Sequence, residues 1–98
     1  MVITILEAKV TSERWNTLSE MYRKGIKNLP LSLAQSFLIQ DKDDPTIWRI
    51  ISEWHSLEEY EFSKESEELD KTCAAMFQKV GVQPTRRVFE VRGHHEHV

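Results

Sequence analysis

Residues 33–59 read LAQSFLIQDKDDPTIWRIISEWHSLEE, and they contain two strands and a helix start that indicate the fold. Leu33 to Gln40 and Thr46 to Trp54 are strand-like runs, rich in β-branched and aromatic residues. Between them lies Asp41-Lys42-Asp43-Asp44-Pro45, whose Asp side chains and Pro favour a turn. The sequence therefore predicts an antiparallel hairpin over residues 33–54.

Helical signals follow this hairpin. Ser56-Leu57-Glu58-Glu59 forms a capping box, in which the Ser hydroxyl and the Glu carboxylate can each satisfy a free amide at a helix start. The apolar period fades between Glu61 and Glu68 and then resumes, with Gly81 as a left-handed stop. The resumed apolar positions are Leu69, Cys73, Met76, Phe77 and Val80. We predict a short helix, a polar break and a longer helix.

The two ends of the chain supply the remaining elements. Val2 to Val10 reads as a first strand, and Thr85 to Arg92 alternates as a fourth, followed by a polar tail over residues 93–98. After a cap at Thr11 or Ser12, a helix is predicted to end near Asn28, before Pro30. Its apolar positions are Trp15, Leu18, Tyr22, Ile26 and Leu29. The order βαββαβ predicts one α+β domain over residues 1–98, with a ferredoxin-like four-stranded antiparallel sheet.

Both faces of the predicted sheet are apolar. Alternation divides the apolar residues of each strand between the two faces of the sheet. In the first strand Val2, Leu6 and Val10 lie on one face and Ile3 and Ile5 on the other; in the second, Leu33, Phe37 and Ile39 lie on one face and Ala34 and Leu38 on the other. In the third strand Trp48, Ile50 and Trp54 lie on one face and Ile47 and Ile51 on the other. Two helices cover only one face of such a sheet, and a monomer rarely exposes an apolar patch larger than a few hundred Å². We therefore expect a second copy of the chain to cover the other face.

Composition narrows the possible partners and locations. Thirteen basic and sixteen acidic residues give a net charge of -3, whereas nucleic-acid binding needs a concentrated positive field. The longest apolar runs are far shorter than the roughly 20 residues that span a bilayer, so no membrane partner and a cytoplasmic location are expected. Cys73 is the only cysteine, which excludes an internal disulfide and favours a small core residue. Gly-rich phosphate loops, G-x-S-x-G turns and H-E-x-x-H helices are missing.

The hairpin turn, the strand Trp48 to Trp54 and the acidic helix start at His55-Ser56-Leu57-Glu58-Glu59 resemble the antibiotic biosynthesis monooxygenase family. The resemblance implies a dimeric α+β barrel, in which two four-stranded sheets pack face to face and each subunit encloses a small pocket between sheet and helices. Many members have a helical His nine residues after the strand-end Trp, where this chain has Ser63. Haem-degrading members need a first-strand Asn, which is missing from Val2 to Val10, and an axial His where Cys73 falls. We therefore expect no cofactor and no metal.

The resemblance also gives the first candidates for ligand contact. In some cofactor-free members an aromatic pair at the strand-to-helix junction lines the pocket, and here these positions are Trp54 and Tyr60. Packing in the core or the dimer interface explains the same two residues equally well. Trp48, Phe37 and Arg49 complete the predicted ligand-binding set, since a guanidinium can bind a phenolate or carboxylate in a forked geometry.

Other residues have simpler interpretations. The spacing of Tyr22 is explained by core packing, and His55 is expected to cap or pack. His94, His95 and His97 lie in a terminal tail, where opportunistic nickel or zinc binding is the expected behaviour. No residue is identified as a catalytic base.

Two functions are consistent with the sequence. The first is a cofactor-independent monooxygenase or oxidase-like enzyme that acts on a small aromatic or quinol-like metabolite. The second is a non-catalytic homodimer that binds a small ligand or serves as an interaction module through the same aromatic cavity. A structure that shows whether polar groups converge on that cavity would discriminate best between them.

Overall fold

A computed structural model describes residues 1–28, 33–65 and 69–97 of the chain. Its strands are β1 (Val2–Lys9), β2 (Leu33–Gln40), β3 (Ile47–Trp54) and β4 (Thr85–Glu90), and its α-helices are α1 (Trp15–Gly25), α2 (Leu57–Glu65) and α3 (Leu69–Lys79). Short 3-10 turns at Ser12–Arg14 and Ile26–Asn28 flank α1. The α-helix ends at Gly25 and the 3-10 turn continues to Asn28, near which the helix was predicted to end. Leu29 and Pro30 lie outside the described residues, as do residues 66–68 of the predicted polar break.

The four strands form one antiparallel sheet in the order β2-β3-β1-β4. The two central strands are therefore β1 and β3, and the two crossovers pass through the helices. This is the predicted ferredoxin-like α+β fold. The predicted hairpin is confirmed, with Phe37 opposite Ile51 and Leu38 opposite Ile50.

Burial alternates along the central strands, as period-two side-chain geometry requires. In β3 every second residue from Trp48 to Trp54 is buried, and the residues between them are half-buried. The buried side packs against the helices and contains Val2, Leu6, Leu18, Ile50, Trp54, Phe77 and Val80. We call this side of the sheet the helix face. The other side, which carries Ile5, Glu7, Phe37, Arg49 and Ile51, is called the open face.

Strand β2 corrects one predicted grouping. Leu33, Phe37 and Ile39 were expected to share a face because all three have odd positions. However, the register shifts between Leu33 and Gln35, so that Leu33 opposes Trp54 and Gln35 opposes Glu53. A bulge inserts one extra residue, here Ala34, and reverses the alternation. Leu33 is buried on the helix face, whereas Phe37 and Ile39 lie on the open face.

The helix boundaries follow most of the predicted signals. The Ser56 hydroxyl accepts a hydrogen bond from the Glu59 amide at 3.1 Å, which is one of the two hydrogen bonds of the predicted capping box. Gly81 has the left-handed backbone conformation, with φ of +84°, and the Val82 amide donates to the Phe77 carbonyl at 3.1 Å. Together they end α3 at the predicted glycine. The predicted cap at Thr11 is different, because its hydroxyl donates to the Glu13 carboxylate and caps no backbone amide.

The turn of the hairpin is fixed by its Asp side chains. One Asp41 carboxylate oxygen accepts hydrogen bonds from the amides of Asp43 and Asp44, at 2.9 and 2.8 Å. An Asp44 oxygen accepts in turn from the amide and hydroxyl of Thr46. These local bonds hold the ends of β2 and β3 together and confirm the turn.

Among the described residues, no helix combines the length and the apolar character needed to cross a membrane.

Candidate functional site

Trp54 and Tyr60 meet where β3 passes into α2. Their ring centroids are 5.3 Å apart in an edge-on arrangement, and the two residues are 0 and 3% exposed. The Trp54 indole donates a hydrogen bond to the Thr4 hydroxyl at 3.1 Å. The structure therefore brings together the two residues that the sequence identified first, and fixes the orientation of the indole ring.

Hydroxyl groups form a line across the helix face beside this pair. Ser36, Ser52 and Thr4 occupy one cross-strand row, because Ser52 opposes both Ser36 on β2 and Thr4 on β1. The Ser36 and Ser52 oxygens are 3.5 Å apart, and the Tyr22 hydroxyl donates to Ser36 at 3.0 Å. We call Ser36, Ser52 and Thr4 the hydroxyl row. It connects Tyr22 of α1 at one end to Trp54 at the other.

The hydroxyl row is unusual because it crosses an otherwise apolar layer. Thr4 and Ser52 are 2 and 4% exposed. Burying a hydroxyl costs free energy unless a hydrogen bond replaces its contact with water, and an apolar residue at the same position would avoid that cost. Polar groups that converge in such a layer are a common feature of small-molecule sites.

Tyr22 closes the row on the α1 side. Burial raises the pKa of its phenol above the usual value of 10, while the hydrogen bond to Ser36 opposes that shift. At neutral pH the phenol therefore keeps its proton and acts as a hydrogen-bond donor. Tyr22 can therefore orient a neighbouring oxygen atom by donating a hydrogen bond, which its helical spacing alone did not indicate.

The other three predicted ligand contacts lie elsewhere. Trp48 is on the helix face but packs against Trp15, with ring centroids 6.1 Å apart, and its indole donates to the Pro45 carbonyl. Phe37 and Arg49 are on the open face, on the far side of the sheet from Trp54. The five predicted residues therefore do not form one site within a chain.

Arg49 belongs instead to a charged group on the open face, near the hairpin turn. Its guanidinium contacts the Glu7 carboxylate at 2.5 Å and lies 3.6 Å from Asp41. Both Glu7 and Arg49 line a depression of about 220 Å³. Its other lining residues are Ile5, Thr85, Arg87 and Phe89.

Sequence reasoning missed the hydroxyl row, although its signal was present. Ser52 occupies an inward position between Ile50 and Trp54, and Thr4 occupies the same kind of position between Val2 and Leu6. A polar residue at a position where alternation predicts a buried apolar side chain indicates either a hydrogen-bonded hydroxyl of the core or part of a ligand site. Ser36 could not be placed in this way, because the bulge at Ala34 hides its face.

The possible metal ligands of this chain are its His, Cys, Asp and Glu side chains. Within the described residues, no three His, Cys, Asp or Glu side chains come together as a metal site. The sequences of α1, α2 and α3 contain no His. His95 and His97 face each other in the tail with centroids 6.1 Å apart. These residues do not fit a porphyrin held by a helical His.

No family model matches the chain, and no curated protein matches it. Several solved structures, in contrast, are similar to it in fold. An antibiotic biosynthesis monooxygenase-type protein from Deinococcus radiodurans superposes with a TM-score of 0.75 and 14% identity, covering 100% of this chain and 98% of that one. A variant of MhuD with two manganese protoporphyrin IX molecules per active site gives a TM-score of 0.79 and 13% identity, covering 99% and 100%.

A third similar structure is SnoaB, a cofactor-independent oxygenase from Streptomyces nogalater, with a TM-score of 0.67 and 10% identity over 95% of this chain and 94% of that one. Several further similar structures are also named as antibiotic biosynthesis monooxygenases. The chain therefore has the fold of the antibiotic biosynthesis monooxygenases, a monooxygenase-like group of α+β proteins. The resemblance seen in the hairpin and helix start is confirmed at the level of the fold.

Proposed function

We propose that the protein is a cofactor-independent monooxygenase or oxidase-like enzyme for a small aromatic or quinol-like metabolite. The observation that carries this proposal is the hydroxyl row, which ends at the Trp54–Tyr60 pair in the layer between sheet and helices. Aromatic rings supply a surface for a planar substrate, and hydroxyl groups supply donors for its oxygen atoms. The oxygenase fold of the similar structures supports the same reaction class.

The chemistry that this layer can assist starts with an electron-rich substrate that loses a proton. The resulting anion can transfer an electron to molecular oxygen. Fixed donors lower the free energy of such an anion when they point to the atom that carries the charge. Tyr22 is suited to be a donor and not a base, because burial raises the pKa of its phenol.

Oxygen consumption with hydroquinones of one to three rings tests this proposal. We expect turnover that continues after chelator treatment and after deletion of residues 93–98. Ser52→Ala and Tyr60→Phe should lower kcat/KM by about tenfold or more, because each removes one hydroxyl from the layer. Thr17→Val is the matched control, since it removes an exposed hydroxyl from α1 and should leave turnover unchanged. Oxygen uptake that is absent, or that requires an added metal, would contradict the proposal.

A ligand-binding or interaction module is the second candidate. It is favoured by the direction of the Tyr22 pKa shift, because a phenol that keeps its proton can bind a ligand but is not a base. In this case tryptophan fluorescence changes when an aromatic ligand binds, Tyr60→Phe weakens that binding, and no oxygen is consumed. If both variants bind normally and only melt earlier, Trp54 and Tyr60 are packing residues.

The proposal includes a homodimer in the cytoplasm, formed through the open face. Phe37, Ile39 and Phe89 remain 46, 37 and 39% exposed on that face, which is much apolar surface for a single small chain. A second copy provides the simplest cover, because the same surface on both subunits can pair around a two-fold axis.

A further inference from the structure

The depression on the open face has the size of one aromatic ring. Ile5 and Phe89 are its apolar lining residues, and its volume is about 220 Å³. A dry apolar cavity of roughly 150 Å³ holds a benzene molecule, whereas pockets for drug-sized ligands have roughly 300–1,000 Å³. The space therefore fits a single ring, such as the side chain of a Phe.

The charges around the depression balance. Arg49 contacts Glu7 and also lies 3.6 Å from Asp41, so one guanidinium faces two carboxylates. Arg87 is the second guanidinium, and its central carbon lies 5.1 Å from the centre of the Phe89 ring. Two positive and two negative groups leave no net charge. Such surroundings favour neither an anion nor a cation, whereas an apolar occupant avoids the cost of burying a charge.

Phe37 is the most exposed apolar side chain of the open face. It lies on the edge strand β2, in the cross-strand row formed by Phe37, Ile51, Ile5 and Arg87. The depression lies mainly on β1 and β4, toward the other end of the same row. One face of the chain therefore carries both a protruding ring and a depression of matching size, on opposite sides of its centre.

A two-fold axis can bring the ring and the depression together. Two sheets that pack face to face in the aligned manner keep their strand directions within about 30° of each other. An axis across the middle of the strands sets Arg87 against Arg87 of the partner subunit, which places like charges together. An axis along the strands instead sets β2 over β4 of the partner subunit and β3 over its β1. This second axis brings Phe37 over the depression of the partner subunit, twice in each dimer.

We propose that Phe37 of each subunit inserts into the depression of the other, where its ring packs on the partner's Ile5 and the partner's Phe89. The occupant of the depression is thus a second copy of this chain. The proposal rests on the homodimer of the proposed function and adds the contact that fixes how the two sheets align. Large aromatic side chains that fill a pocket at the centre of an interface commonly carry much of its binding energy.

A pair of complementary variants tests this contact. Phe37→Ala removes the ring, and Thr85→Trp fills the depression, because Thr85 lines it. Alone, each variant should raise the Kd of the dimer about tenfold or more, since its homodimer has either two voids or two clashes. Mixed, the two variants should form a heterodimer. One of its contacts is the native one, and in the other the added Trp meets the shortened Ala side chain.

Native mass spectrometry of the equimolar mixture separates the three possible dimers by mass. We expect the heterodimer to exceed the share that random pairing gives. Val88→Trp is the matched control, because it places the same ring on β4 but on the helix face, where Val88 is exposed. This control should dimerise like the wild type and show no preference for Phe37→Ala. Thr85→Phe replaces Thr85→Trp if circular dichroism shows that the larger ring unfolds the chain.

Three results would overturn the proposal, and they differ in what else they affect. If the wild type dimerises but the variants pair at random, the homodimer stands and Phe37 does not enter the depression. If the wild type is monomeric in sedimentation, the homodimer fails as well, while oxygen uptake still tests the enzyme separately. A monomer whose native mass includes a small molecule that is lost in Thr85→Trp would show that a ligand occupies the depression instead.

Discussion

The two faces of the sheet present adjacent residues of the same strand to different surroundings. On the helix face Ile50 and Trp54 are 1 and 0% exposed, and the polar groups beside them are neutral hydroxyls. On the open face the next residues along β3 are only half-buried, and the polar groups include the ion pair of Arg49 and Glu7. Because neutral hydroxyls cost less to bury than charges, the helix face can be closed within one chain.

This difference assigns separate roles to the two faces. The helix face supplies most of the free energy of folding, since burial of apolar area is the dominant favourable contribution. The open face leaves apolar side chains and a charged pair partly exposed. A substitution on the helix face should therefore act on unfolding, whereas a substitution on the open face should act on association.

The largest effect is expected from Trp54→Ala. Truncation of a buried large aromatic residue commonly costs about 3–5 kcal/mol, a large part of the stability of a small domain. The substitution also removes the indole that donates to Thr4. Urea unfolding followed by circular dichroism measures the loss. The control is Phe62→Ala, where the side chain is 71% exposed and the change should stay within about 0.5 kcal/mol. Equal losses for both variants would contradict the role given to the helix face.

A smaller effect on folding, and a large one on assembly, is expected from Phe37→Asp. A charge placed in a covered apolar interface lacks a partner and should raise the Kd of the dimer about a hundredfold or more. Sedimentation equilibrium at micromolar concentration should give twice the chain mass of 11.6 kDa for the wild type and the single mass for the variant. Phe62→Asp is the control, with the same chemical change at an exposed position of α2. A wild-type protein that stays monomeric would contradict the prediction that a second copy covers the open face.

Most residues of the two faces could be predicted from the sequence, because alternation along β1 and β3 shows which side chains share a face. Trp54 and Tyr60 could also be paired from the sequence, because the strand ends and the helix begins between them. The bulge at Ala34 could not be predicted, because an extra residue in an edge strand leaves the composition unchanged. It moved Leu33 to the helix face and separated it from Phe37.

The candidate site was harder to predict than the fold. Tyr22, Ser36 and Ser52 come from three elements that are distant in sequence, and only the sheet register and the position of α1 bring their hydroxyls together. Arg49 was predicted as a ligand contact from its charge, but the alternation of β3 directs it away from Trp54. Residue type indicated the chemistry, whereas the tertiary arrangement determined which groups can act together.

The smallest effect concerns the turn that joins the two hairpin strands. Hydrogen bonds from the amides of Asp44 and Asp43 lower the pKa of the Asp41 carboxyl below its ordinary value of 3.8, and Arg49 acts in the same direction. A carboxyl whose pKa is lowered by folding stabilises the protein above the unfolded-state pKa, and this contribution disappears as the pH falls through the folded-state value.

Asp41→Asn tests this contribution, because it keeps an oxygen that can accept from the amides but removes the charge. The variant should melt slightly earlier than the wild type at neutral pH, and the gap should close as the pH falls below 3.8. Asp43→Asn is the control, because the Asp43 side chain is almost fully exposed in its contact with Lys42. Melting temperatures measured by circular dichroism across that pH range decide the outcome. A constant gap between wild type and Asp41→Asn at every pH would show that the charge of Asp41 does not stabilise the turn.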